Sequence, residues 1–119
     1  MSKQIKVILK GEAKDSFEEL NSIVSKQIKN KIKGSFEMKL LKSIKDKFEI
    51  LKLNPFYGDP IRKNLIPKKL DVPSLWRIEL ANYWRMIYTI RGDDIRIICF
   101  ILEICDHKKY NKIFGYKRR

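Results

Sequence analysis

The chain has 119 residues, 44% of them hydrophobic, and carries 27 Lys and Arg against 14 Asp and Glu, a formal net charge of +13. That length suits one compact domain, 1–119, and the apolar content excludes the composition of a disordered chain. The excess of cations points to polyanionic partners such as nucleic acid, the ribosome or an acidic protein, although the same charge would also serve solubility.

Residues 3–9 read as a short strand, with Ile5, Val7 and Leu9 on one face, and Gly11 ends it. The period then changes. Ala13, Phe17, Leu20, Val24 and Ile28 fall at three- and four-residue steps, which predicts an amphipathic helix over 12–29. Lys33-Gly34-Ser35 is a break, with Ser35 as a candidate N-cap. Phe36, Leu40, Leu41, Ile44, Phe48 and Leu51 define a second helix to about Leu53, which Asn54-Pro55 stops. Residues 54–74 hold all four prolines and predict a long loop, with Phe56, Leu65 and Ile66 covering an edge of the core.

Strands are predicted at about 75–81, 83–90 and 95–104, with turns at Asn82 and at Gly92-Asp93-Asp94. Trp76, Ile78 and Leu80 share one face of the first of these; Leu75, Arg77, Glu79 and Ala81 share the other. Trp84 and Tyr88 alternate away from Arg85 and read as core, as does Trp76. The third strand is apolar on both faces and should be central. Asp106 is a candidate cap for a short C-terminal helix, and residues 107–119 hold six Lys or Arg and no acid. The expected architecture is α+β: two helices on one face of a four-stranded, largely antiparallel sheet, with the other face partly open and carrying Arg77, Glu79 and Arg85.

Cys99 and Cys105 lie on one predicted strand about 20 Å apart, beyond the roughly 7 Å between Cα atoms that a disulfide spans. They should be buried thiols. Two cysteines and one histidine make a zinc site unexpected, so no metal or cofactor is anticipated. No apolar run approaches the roughly 18 residues of a membrane helix, and MSKQIKVILK lacks the features of a signal peptide. A cytoplasmic protein without a membrane partner is expected.

Arginine within a strand faces water or grips an anion. Arg77 and Arg85 flank a tight turn and should be close in space, which points to phosphate and so to RNA or DNA. Lys63, Lys68 and Lys69 in the long loop are either a solvated face or a phosphate track. The lysines of the second helix, Lys39, Lys42, Lys45 and Lys52, read as a solvated face.

At the hairpin WRIELANYWRMIYTI and the tail ICDHKKYNKIFGY the chain resembles the RelE/ParE superfamily of toxins from type II toxin–antitoxin systems. Trp84-Arg85-Met86-Ile87-Tyr88 is similar to that family's hairpin segment, and the element order agrees. The resemblance implies a metal-independent endoribonuclease that cuts mRNA, on the ribosome in many members, inhibits translation and is neutralised by a cognate antitoxin protein. It implies that Arg85 holds the scissile phosphate, that Arg77 stabilises charge, and that His107 and Tyr110 supply proton transfer and base stacking. Glu79 stands where one branch carries a lysine; it would act as the base or pair with Arg77. Lys108, Lys109, Lys112, Lys117, Arg118 and Arg119 would add sequence-blind RNA affinity. Other possibilities remain: Arg85 pairing with Glu79 or Glu103, Tyr110 packing the last helix, a gyrase-poison toxin that cleaves no RNA, or a degenerate basic nucleic-acid-binding protein.

Overall fold

Residues 3–115 are described in the computed structural model. The edge strand β1 (Gln4–Leu9) leads into the helical hairpin of α1 (Gly11–Lys29) and α2 (Phe36–Leu53). Ser35 caps α2, its hydroxyl accepting from the Met38 N–H at 3.1 Å. The long loop contains a two-residue strand, β2 (Asp59–Pro60), and two short 3₁₀ turns. A meander follows of β3 (Trp76–Glu79), β4 (Arg85–Gly92) and β5 (Arg96–Cys105), and α3 (His107–Phe114) closes the described chain. Asp106 caps α3 by accepting from the Lys109 N–H at 2.9 Å. No helix among the described residues is long and apolar enough to cross a membrane.

The sheet has five strands in the order β1-β5-β4-β3-β2. The expected α+β class holds, but the expected count of four strands does not. Two residues of β2 pair with β3, Asp59 opposite Arg77 and Pro60 opposite Trp76, and so short a strand has no alternation to recognise. The sheet is also mixed. β1 runs parallel to β5, Gln4 opposite Arg96 through Leu9 opposite Ile101, while the remaining pairs are antiparallel. β5 is interior, as its two apolar faces require.

The main core lies between the sheet and α1–α2. Leu20, Val24, Leu40 and Ile44 meet Ile78, Met86, Tyr88 and Ile101 there, with Trp76 and Trp84 packed at its margin. Cys99 and Cys105 are buried free thiols. The opposite sheet face is less open than its polar residues imply. Leu75, Ile87, Cys105, Tyr110 and Ile113 form a second core there, under α3 and Ile61, Ile66, Leu70 and Val72 of the long loop. A register shift opposite Ile87 and Tyr88 skips Leu102, since Ile87 pairs with Glu103 but Tyr88 with Ile101, and beyond it Ile101 and Ile104 both reach the main core while Leu102 and Cys105 reach the second. Ile66 packs against the second core as anticipated, and Phe56, though more than half exposed, meets Trp76 edge-on at the margin of the main core, 5.6 Å between centroids, whereas Leu65 is largely exposed.

Tyr88 ties the loop to the sheet. Its side chain is fully buried, its hydroxyl donates to the Pro55 carbonyl at 2.9 Å, and it accepts from the Gly58 N–H at 3.0 Å. A Cβ at Gly58 would lie 2.8 Å from both the Arg77 carbonyl and the Tyr88 hydroxyl, so this close approach needs glycine. Burial pushes the Tyr88 hydroxyl up to about 12, keeping it a neutral donor. Tyr88→Phe strands two backbone partners at once and should cost about 1–3 kcal/mol. Urea unfolding checks this; an unchanged midpoint would mean that the loop is held by its apolar contacts alone.

Candidate functional site

Sheet alternation puts Arg77, Glu79 and Arg85 on the α3 side, with Glu79 directly opposite Arg85 and Arg77 opposite Ile87. Tyr110 rises to them from α3. Its ring is 2% exposed in the second core and packs on Phe114 at 4.5 Å between centroids. Arg77 Nη1 donates to its hydroxyl at 3.2 Å. The Arg85 guanidinium carbon lies 4.4 Å from its ring centroid and that of Arg77 5.9 Å. The two arginines expected to be close therefore converge on one tyrosine, and Tyr110 is at once packing and platform.

Neither arginine makes an ion pair among the described residues. Their Nε atoms are buried without a hydrogen-bond partner. Arg77 is raised above its ordinary value, chiefly by the bond to Tyr110, so its charge is secure. Desolvated donors without acceptors are costly unless something anionic completes them. Glu79, which could have neutralised either arginine, stays exposed and outside ion-pair distance. It borders two clefts, one with Leu80, Asn82, Tyr83 and Arg85, the other with Tyr57, Gly58, Asp59, Arg77 and Ile78. Two cations and two carboxylates, Glu79 and Asp59, thus share an open surface.

His107 is exposed at the first position of α3, one turn before Tyr110, and no hydrogen bond or ion pair of the described residues joins it to either arginine. The lysines divide into groups. Lys69, Lys108, Lys109 and Lys112 line a cleft of about 500 Å³ beside α3, and Lys63 and Lys68 border another along the long loop. Lys117, Arg118 and Arg119 lie outside the described residues.

Lys109 has a structural task that its charge alone does not reveal. Its ammonium bridges Glu12 at the start of α1, 3.1 Å, and Glu103 on β5, 3.4 Å. Glu103 is buried, and burial, reinforced by Glu12, pushes its carboxyl from the ordinary 4.5 up to about 7. Glu12 is held below its ordinary value by its bond to Glu103 and then by Lys109. The pair behaves as an acid beside a carboxylate under one ammonium. A raised carboxyl favours the proton in the folded chain, so the contribution of Glu103 is complete below pH 4.5 and is lost as pH rises through about 7. Glu12 acts in the opposite sense, contributing above its unfolded value and losing that contribution in acid. Glu103→Gln, fixed in the neutral form, should gain about 1–3 kcal/mol over the wild type at pH 8 and little at pH 5. Urea midpoints at the two pH values test this, and equal differences would show that Glu103 does not titrate in that window.

The sequence matches no family model and no curated protein. The architecture does have a counterpart. The YoeB/ParE toxin from Agrobacterium tumefaciens superposes with a TM-score of 0.57 at 15% identity, over 86% of this chain and 98% of that one. The fold is RelE/ParE-like. In this RelE/ParE-like frame the convergent arginines sit on the β3–β4 hairpin and their platform on the terminal helix. Sequence reading missed Tyr83, which borders the Arg85 cleft; the signal was there, a tyrosine in a two-residue turn where Asn-Gly is favoured. The Glu12–Lys109–Glu103 bridge, by contrast, leaves no local signal, since Glu12 stands 97 residues before Lys109.

Proposed function

We propose that this chain is a toxin-like endoribonuclease that cleaves mRNA, associates with the ribosome and is neutralised by an antitoxin protein. The observation that carries this reading is the convergence of Arg77 and Arg85, both without an anionic partner, on Tyr110 beside the free carboxylate of Glu79. Two forked guanidiniums suit the dianionic phosphorane formed when a ribose 2′-oxygen attacks the adjacent phosphorus. In this scheme Glu79 takes the 2′-hydroxyl proton, the P–O5′ bond breaks, and a proton from His107 passes to the departing 5′ oxygen. The products are a 2′,3′-cyclic phosphate and a 5′-hydroxyl end. Lys63, Lys68, Lys69, Lys108 and Lys112 hold flanking phosphates, and the net charge of +13 draws RNA in. An antitoxin helix finds an apolar cleft lined by Leu20, Ile23, Phe36, Leu40 and Trp84.

The test is induced expression of wild type beside Arg85→Ala, reading growth and mRNA 5′ ends. Arrest with new mRNA ends, both lost in the variant, is the expected result. Arrest with intact mRNA would move the reading to a gyrase-type poison, and no arrest from soluble, folded protein would remove toxicity from it.

A further inference from the structure

Tyr83 is the most conspicuous side chain that this scheme leaves unused. It is 79% exposed and has no ring contact or hydrogen bond among the described residues. Its backbone is equally unusual. The turn Ala81–Trp84 is closed by the Trp84 N–H donating to the Ala81 carbonyl at 3.2 Å, and both central residues are left-handed, Asn82 at φ 55° and Tyr83 at φ 65°. This is the geometry of a type I′ hairpin turn, where asparagine followed by glycine is the favoured pair. Asn82 fits that preference. A bulky aromatic at the second position is strained, and its exposed ring repays nothing to the core.

The position of the ring suggests what it is kept for. Tyr83, Asn82 and Glu79 border the same cleft as Arg85, the arginine read above as the phosphate clamp. Where a phosphate is gripped, the attached nucleoside must lie alongside, and an unstacked base finds its best sequence-tolerant contact on an exposed aromatic face. We infer that Tyr83 is a nucleobase-stacking platform that seats a base next to the phosphate held by Arg77 and Arg85, making the hairpin tip part of the single-stranded RNA site.

The inference rests on the phosphate-clamp reading, and the two can fail separately. The probes are a single-stranded hexanucleotide with 2′-O-methyl riboses, which cannot be cleaved, and its counterpart with abasic sugars throughout. The proteins are the full chain, Tyr83→Gly, Tyr83→Trp and Arg85→Ala. Tyr83→Gly should melt no lower than wild type, since glycine suits the left-handed position. It should bind the base-bearing oligomer roughly 5- to 150-fold more weakly, the value of one aromatic–base stack, and the abasic one within twofold of wild type. Tyr83→Trp should keep wild-type affinity for both. Arg85→Ala should weaken both oligomers. If Tyr83→Gly loses neither oligomer, or both equally, while Arg85→Ala loses both, the stacking platform is overturned and the clamp stands. A partner protein that binds Tyr83 while RNA affinity is unchanged would also overturn it. If Arg85→Ala binds both oligomers like wild type, the clamp itself fails.

Discussion

An Arg85→Ala protein is expected to cleave RNA about 10²–10³-fold more slowly than wild type while its melting temperature falls by no more than about 10 °C. The asymmetry follows from how Arg85 is held. It makes no ion pair within the described fold, and its Nε has no acceptor. Folding therefore loses chiefly a cation–π contact with Tyr110, worth about 0.5–2 kcal/mol. In the proposed reaction the transition state loses a forked donor aimed at developing charge. Arg85→Lys keeps the charge and loses the fork, so partial recovery is expected. Single-turnover cleavage and a thermal melt of the same preparations measure both quantities. A variant that cleaves normally would remove Arg85 from the chemistry, and one that fails to fold would return it to a structural role.

Tyr110 should show the converse pattern. Its ring sits among Leu75, Ile87, Cys105 and Ile113 in the second core, so Tyr110→Ala opens a cavity and should cost about 3–5 kcal/mol in urea unfolding. Tyr110→Phe keeps that packing and removes the hydroxyl that accepts from Arg77, for about 0.5–1.5 kcal/mol. With Arg77 no longer held, cleavage should fall in Tyr110→Phe by more than its stability loss explains. A Tyr110→Ala protein as stable as wild type would mean that α3 contributes nothing to the core and that Tyr110 is no fixed platform for the two arginines.

How much of this was legible in the sequence depends on the range of the interaction. Helices announce themselves through neighbours three and four apart, and both α2 and α3 begin at the side-chain caps that residue type suggested, Ser35 and Asp106. The approach of Arg77 to Arg85 followed from alternation on either side of a turn. The two residues of β2 gave no alternation to see, and the register shift opposite Ile87 and Tyr88 depends on how β4 meets β5, not on either strand alone. Glu79 was adjacent to both arginines by register, yet pairs with neither, because solvent competes for an exposed carboxylate. Lys109 looked like one more RNA-facing cation until its two carboxylates, Glu12 and Glu103, came into view. Contacts of that span carry no spacing rule, so only the assembled fold discloses them.

The parallel pairing of β1 with β5 has a consequence for synthesis. The first strand of the chain finds its only neighbour in the sheet about 90 residues later, Gln4 against Arg96. Closing so long a loop is entropically late, whereas the β3–β4–β5 meander assembles from local contacts. While the chain is still emerging from the ribosome, α1 and α2 can coil but have no sheet to pack on. α3, with Tyr110, emerges last of all the described elements. Arg77 and Arg85 thus acquire their platform only after α3 has left the ribosome, so in a shorter nascent chain the two guanidiniums lack the ring on which they converge.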